Sequence, residues 1–335
     1  MTLQIGVCLS LTGRYERFGR QAAEGLNAWQ GLVGDGVSFR VEDDRSDRDR
    51  LPVVLKQVAR DCDLLLGPYS TELMRQAGHV MSEFDRILWN HGGSGDDVQA
   101  LCPGRIVSVL APTSRYAVPF VHAQSCAATR SPLWVVRGRG RFARQVAEGA
   151  IEEARRAGLE VVEKRADEEP WMDSVPEVWD LFSVGTFEDD VAIVNQARAG
   201  SRTPRALCSV AAGVRDFASM VHEPDGTFGI AQWFPGRDEP VALGPAERDF
   251  VKQYRRVVGS WPDYPAVQAA AAAMIAARCS EIAGSLRPGE LWAAARELET
   301  STMFGSFGID GRTGVQRKHT PVLLQWRGSE QLLVS

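Results

Sequence analysis

Apolar and polar positions along the chain follow two rhythms, short apolar runs and stretches with helical spacing. Leu3–Leu9 predicts a strand, and Phe18–Leu32, with Leu26, Trp29 and Leu32 on one helical face, predicts a helix. A strand over Val37–Asp43, a helix over Arg50–Arg60 and a short buried strand over Asp63–Leu66 follow. A helix over Thr71–Phe84 and a strand over Ile87–Trp89 complete the first third. Strands separated by helices of this length imply parallel βαβ units. A run as apolar as Leu64–Leu66 fits a sheet covered on both faces.

Beyond a connection near Ala111–Ser114 the same grammar restarts. It gives a strand over Leu133–Val136, a helix over Ala143–Ala157 and a strand over Leu159–Glu163. Further strands are expected around Leu181–Val184, Ala206–Val210 and Phe228–Ala231, with helices between them, so a second parallel α/β lobe is predicted. Near Gln232–Pro240 the pattern turns Pro- and Gly-rich, then gives two helices, Pro245–Val258 and Tyr264–Ile282. Pro321–Gln325 and Gln331–Val334 read as a hairpin around Arg327-Gly-Ser-Glu330. The fold class is α/β, in two halves of a chain that crosses between them more than once. A length of 335 residues supports two such cores.

Ligands of open parallel sheets sit beyond the carboxyl ends of the strands, where peptide amides and helix N-termini converge. Three loops therefore carry the candidate chemistry. Ser10–Gly19 joins the first strand to the first helix and places Phe18 at the helix start; a helix cap with a hydrophobic staple reads equally well there. Gly67-Pro-Tyr69-Ser70-Thr71 follows a buried strand, and Ser70 or Thr71 can cap the next helix, whose free amides suit an anion. Asn90-His91-Gly92-Gly93-Ser94-Gly95 follows the next strand, with glycines that allow close approach and a hydroxyl at the same sheet end as Ser70. Together these hydroxyls and flanking amides make a cradle for a carboxylate or an amide; separately, each is an ordinary capping or Gly-rich loop.

Composition narrows the classes. Apolar residues make up 44% and charged residues 24%, as in globular proteins. A net charge of −5 with mixed signs argues against a nucleic-acid surface. The Arg137, Arg139, Arg141, Arg144 cluster reads as a solvated loop, with a ligand-facing role as the lesser alternative. No run reaches the roughly 18 apolar residues of a membrane span, so direct membrane insertion is not expected; alanine-rich Ala266–Ala277 reads as a buried helix. Met1–Val7 enters a strand with no basic or apolar leader ahead of it. A cytoplasmic location is expected on that ground, or a periplasmic or extracellular one if a leader has been removed. The six scattered cysteines form no CxxC or Cys/His ligand pair, and most are expected to be free and buried. The five histidines form no metal pair, and no cofactor or metal is expected. His91-Gly-Gly resembles an oxyanion loop, but GxSxG, GxxxxGK[ST] and a full dinucleotide fingerprint are all missing, so no enzyme is predicted. A hydrolase using Ser70 or Ser94 is the outside alternative. The acidic runs Glu42–Asp44 and Glu188–Asp190 read as solvated caps.

Ile5-Gly-Val-Cys-Leu-Ser-Leu-Thr-Gly13, then Gly19 and a helix, resembles the start of branched-chain amino-acid-binding proteins of the periplasmic-binding-protein type I fold. Asp43-Asp44, Gly67-Pro-Tyr-Ser-Thr71, the Gly-Gly-Ser-Gly loop, and Phe304–Gly314 leading to Val322–Trp326 extend the resemblance over nearly the whole chain. It implies two Rossmann-like lobes with parallel central sheets joined by a three-crossover hinge near Ala111–Ser114, Trp233–Pro240 and Val315–Pro321. Lobe 1 is then 1–112 plus 238–316, and lobe 2 is 113–237 plus 317–335. The resemblance further implies a solute held by hinge closure, its carboxylate met by positions matching Ser70, Gly93 and Ser94. Tyr69, Thr71 and Gly92 flank these positions, and Phe18 matches an aromatic lid. Phe142 and Phe187 match aromatic positions on lobe 2, where Val210 ends a strand. The implied partners are a small-molecule ligand and an ABC permease, or a regulatory protein if the chain is a sensor. One departure matters. The segment expected to hold an ammonium counter-charge reads Cys208-Ser-Val-Ala-Ala-Gly213, without an acid. Desolvating an ammonium there costs several kcal/mol. Unless Glu188 or Asp189 takes over, amides and aromatic or aliphatic carboxylates are better expected ligands than a free amino acid.

Overall fold

The structure is a computed structural model that describes residues 2–168, 171–237 and 239–334. In chain order its first elements are β1 (Leu3–Leu9), α1 (Glu16–Val33), β2 (Val37–Asp43), α2 (Leu51–Asp61), β3 (Leu64–Leu66), α3 (Thr71–Met81), β4 (Leu88–Asn90) and β5 (Ile106–Ser108). Then come α4 (Val118–Ser125), β6 (Leu133–Arg137), α5 (Arg141–Arg156), β7 (Val161–Arg165), β8 (Asp180–Val184), α6 (Phe187–Ala199), β9 (Ala206–Ser209), α7 (Phe217–Met220) and β10 (Phe228–Ala231). The chain closes with α8 (Glu247–Val258), α9 (Tyr264–Ala283), α10 (Pro288–Glu297), β11 (Thr300–Thr302), β12 (Gly305–Phe307), β13 (Val322–Arg327) and β14 (Glu330–Leu333).

These elements form two units. Unit 1 is Met1–Pro112 with Pro235–Thr320, and unit 2 is Thr113–Phe234 with Pro321–Ser335, so the chain passes between them three times. The lobe boundary expected at 238 falls on Asp238, outside the described residues.

Unit 1 is built on a five-stranded parallel sheet in the order β2-β1-β3-β4-β5. Side chains alternate across it. Cys8, Leu65, Leu88 and Ile106 pack with Leu51, Val54, Leu55, Leu73, Met74 and Ala77 of α2 and α3. Full burial of each of the larger aliphatic side chains is worth about 1.5–3 kcal/mol. The alanine-rich start of α9 is buried on all sides, as a helix without a polar face must be. No single helix among the described residues is long and apolar enough to cross a membrane.

Unit 2 carries a seven-stranded sheet in the order β14-β13-β10-β9-β8-β6-β7. Strands β6 to β10 run parallel, and the C-terminal hairpin β13–β14 adds an antiparallel edge. Phe120 of α4 centres this core, its ring 6.1 Å from Phe182 and 5.7 Å from Phe228.

The hydrophobic rhythm missed four kinds of element, each for a local reason. β5 is only three residues long, and α4 begins Val-Pro-Phe-Val with little polar contrast. α10 starts at a proline after a turn, and the β11–β12 ribbon is two three-residue strands. The expected strand Leu159–Glu163 starts later, at Val161, because the Leu159 amide still bonds the Ala154 carbonyl (2.9 Å) while its side chain joins the core.

Candidate solute site

Since its strands are parallel, unit 1 presents the loops after β1, β3 and β4 at one sheet edge. The β1 loop is pinned by acids at the end of β2. Asp43 Oδ1 accepts the Leu11 N–H (2.9 Å), Asp43 Oδ2 accepts the Thr12 hydroxyl (2.8 Å), and Asp44 Oδ1 accepts the Ser10 hydroxyl (2.6 Å). The expectation of solvated caps is therefore corrected at Asp44. It is 0% exposed, and burial raises its pKa despite its bonds to Ser10 and Ser46. Gly19 lets α1 start against this loop, because a Cβ there would overlap the Ser10 carbonyl.

The loops after β3 and β4 are joined directly. Tyr69 and Gly92 form an isolated parallel bridge, and the Ser70 N–H donates to the Gly92 carbonyl at 3.0 Å. Gly95 N–H donates to the Thr71 hydroxyl (3.1 Å), so Ser70–Thr71 and Gly93–Gly95 are neighbours. Ser70 caps α3, its Oγ accepting the Leu73 N–H at 3.2 Å while its carbonyl accepts the Met74 N–H at 2.9 Å. Those bonds leave the first two amides of the helix, on Thr71 and Glu72, as the free donors of its N-terminus. The Ser70 O–H proton also stays free to donate. Ser94 is 6% exposed and makes no hydrogen bond among the described residues.

The cradle differs from expectation in one respect. The amides of Gly92 and Gly93 both donate to Asn90 Oδ1, at 3.1 and 2.8 Å, so they are not open to a ligand. Asn90 Nδ2 in turn donates to the Gly93 carbonyl (2.6 Å) and to Ser108 Oγ (2.8 Å). A buried asparagine thus shapes the loop from within. A Cβ at Gly92 would meet the Tyr69 Cα at 2.6 Å, which fits the expected close backbone approach.

Phe18 stacks on Tyr69, with centroids 4.6 Å apart and planes within 9°, and the Tyr69 hydroxyl lies 3.1 Å from that of Tyr264. Sequence reasoning missed Tyr264. Its available signal was its place at the first position of a helix, ahead of a proline.

Unit 2 gathers its own strand-end residues. Phe142 lies in the first turn of α5 and meets Tyr116 edge-on at 5.6 Å. Phe187 begins α6, and Val210 directly follows β9, so the three lie just beyond the adjacent strands β6, β8 and β9 of one sheet. Arg137 and Arg144 pair with Glu163 (2.7 Å) and Glu148 (3.6 Å), while Arg139 and Arg141 are exposed. Asp189 is engaged by its own helix in a capping box with Thr186, and Glu188 is exposed. The expectation of solvated caps is corrected at Asp190, which is 1% exposed and lies beneath the Val210–Gly213 turn.

Among the described residues no histidine or carboxylate hydrogen-bonds the Ser70 or Ser94 hydroxyl. His91 is fully buried, its ring nitrogens bond neither serine, and burial lowers its pKa to about 4. Among the described residues no three His, Cys, Asp or Glu side chains gather as a metal site. All six cysteines are free, five of them buried.

A two-unit α/β chain with hydroxyls and helix amides at its strand ends defines a binding protein. The periplasmic binding protein family profile matches residues 2–330, and the chain belongs to that family. No curated protein sequence matches it significantly. It is similar in fold to a leucine-binding protein from Thermotoga maritima (TM-score 0.84, 15% identity, covering 100% of this chain and 98% of that one). A branched-chain amino-acid substrate-binding protein from Streptococcus pneumoniae, in complex with isoleucine, gives 0.80 at 14% identity, covering 100% and 99%. A solute-binding protein from R. palustris in complex with 4-hydroxybenzoate gives 0.82 at 14% identity, covering 100% and 96%.

Proposed function

We propose that the chain captures a small carboxylate solute lacking a free ammonium group, with aromatic acids such as benzoate foremost. The observation that carries this reading is an asymmetry of charge. Unit 1 offers the Ser70 and Ser94 hydroxyls and the α3 N-terminus to an anion. The Val210–Gly213 turn of unit 2 carries no exposed acid, since Asp190 is buried beneath it. The Phe18–Tyr69 stack adds a flat apolar wall suited to a ring. Similar folds hold 4-hydroxybenzoate and benzoate as well as leucine and isoleucine, so the family accommodates the class.

In this reading Phe18, Tyr69, Ser70, Thr71 and Ser94 hold the solute from lobe 1. Phe142, Phe187 and Val210 contact it from lobe 2 once the hinge closes. The chain then serves as the binding component of an ABC-type uptake system outside the cytoplasmic membrane, with a permease as its partner. A thermal-shift and calorimetry panel of benzoate, 4-hydroxybenzoate, benzamide, leucine and isoleucine tests it. A true ligand at 100 times its Kd stabilises by about 2.7 kcal/mol. Binding of leucine and isoleucine with no response to either benzoate would overturn the charge argument.

A further inference from the structure

The Val210–Gly213 turn is clamped from three directions. The Ala212 carbonyl accepts Trp326 Nε1–H and Gln331 Nε2–H, both at 2.9 Å. Gly213 lies so close to the Ile230 carbonyl that a Cβ there would overlap it. The third clamp is Asp190, in the first turn of α6, whose Oδ2 accepts the Ala211 N–H at 2.9 Å. The first two clamps carry no charge; the third can gain or lose one. Asp190 Oδ1 is buried without a hydrogen-bond partner, and so are the hydroxyls of Ser183 and Ser209, which lie near enough to influence the carboxyl.

We propose that Asp190 is a positioning residue for solute binding, its carboxyl fixing the turn that carries Val210 and Ala211 at the strand-end edge of unit 2. The inference rests on the solute-binding reading of that edge. A buried amide without an acceptor is costly, so Ala211 stays where the carboxyl puts it. The groups facing Asp190 are Ser183 from β8, Ser209 and the Cys208 thiol from β9, the Ala211 N–H from the turn, and Asp189 on its own helix. Burial, with repulsion from Asp189, holds the carboxyl pKa up at about 7 against the Ala211 N–H bond and the nearby serine hydroxyls. Protonated, it can donate to a serine oxygen while still accepting from Ala211. Ionised, it places a negative charge under the turn, and an anionic solute at that edge disfavours this form. Affinity for a carboxylate then falls as pH rises through about 7, while affinity for its neutral amide changes less.

The experiment follows the Ala211 amide by NMR and measures benzoate and benzamide binding by calorimetry from about pH 6 to pH 8, in wild type, Asp190→Asn and Asp190→Ala. In wild type the Ala211 resonance should titrate near neutrality and benzoate affinity should fall across the range by at most about tenfold, the ceiling for a group that titrates near 7. Asp190→Asn should remove both pH dependences, and Asp190→Ala should weaken benzoate and benzamide alike. Unchanged benzoate and benzamide affinity in a folded Asp190→Ala, with the Ala211 resonance unmoved in Asp190→Asn, would overturn the inference and leave solute binding standing. Absence of binding by any carboxylate in wild type would instead remove the solute reading. The displacement of the Ala211 resonance in Asp190→Asn would still decide whether the carboxyl holds the turn, even if Asp190→Ala fails to fold.

Discussion

Ser70 is held at φ 94° and ψ 146°, a backbone region that glycine occupies freely and serine does not. Such a conformation costs about 1–3 kcal/mol and persists only where neighbours over-determine it. Three bonds do so here, from its own N–H to Gly92 and to its carbonyl and hydroxyl from Met74 and Leu73. Ser70→Ala keeps the strain and loses the cap, so it should destabilise by about 1 kcal/mol. Ser70→Gly also loses the cap hydroxyl, at a few tenths of a kcal/mol, and adds about 0.5–1 kcal/mol of backbone entropy, but releases the strain. The glycine variant should therefore be the more stable of the two by about 1–2 kcal/mol, whereas at an unstrained extended position alanine would win. Both variants should lose about ten- to a hundredfold in benzoate affinity, the worth of one hydrogen bond to a charged group. Urea unfolding gives the first comparison and calorimetry the second. Equal stability of the two variants, or a more stable alanine, would refute the claim that the binding loop stores strain.

Three further outcomes follow from the same edge. Ser94→Ala should lower benzoate affinity by a comparable factor with little change in urea midpoint, because its hydroxyl makes no hydrogen bond among the described residues. Asn90→Ala should destabilise by about 3 kcal/mol or more, since it strips acceptors from two buried amides at once. Gly19→Ala should cost about 1–3 kcal/mol through overlap with the Ser10 carbonyl, seen as a lower unfolding midpoint.

Much of the frame was legible because period and length speak plainly in a βαβ chain. β1, β2, β3 and α9 match the runs that predicted them to within a few residues. What escaped was chemistry set by distant residues. Nothing local to Gly92-Gly93 says that Asn90 takes both amides, because that depends on the side chain turning back rather than outward. Tyr264 meets Tyr69 across 195 positions, a pairing that a single sequence does not encode by spacing. The lack of an acid in Cys208–Gly213 was readable, but the buried carboxyl beneath it was not. Asp190 sits in an acidic first helical turn, where exposed caps are the ordinary outcome.

Two buried titratable groups near these edges, His91 and Asp190, pull stability in opposite directions with pH, and they lie in different units. His91 in unit 1 is lowered from 6.5 to about 4 by burial, so its contribution is complete above about 6.5 and lost as pH falls through 4. At about 1.4 kcal/mol per pKa unit, that difference is about 3 kcal/mol. Asp190 in unit 2 is raised from 3.8 to about 7, so its contribution is complete below about 3.8 and lost as pH rises through 7, about 4 kcal/mol in all. Global unfolding across this range mixes the two and hides both. Native-state hydrogen exchange separates them, because amides of each unit report their own opening. Taking each variant minus wild type cancels every other titrating group, including Asp44, whose raised carboxyl opposes His91 within unit 1. The difference for Asp190→Asn should grow more stabilising from about pH 4 to pH 8 in unit 2 amides and stay flat in unit 1. The difference for His91→Gln should run the other way, most favourable at low pH and confined to unit 1. A pH trend of the same sign for both variants would show that at least one of these groups is not held in the protonation state its burial demands.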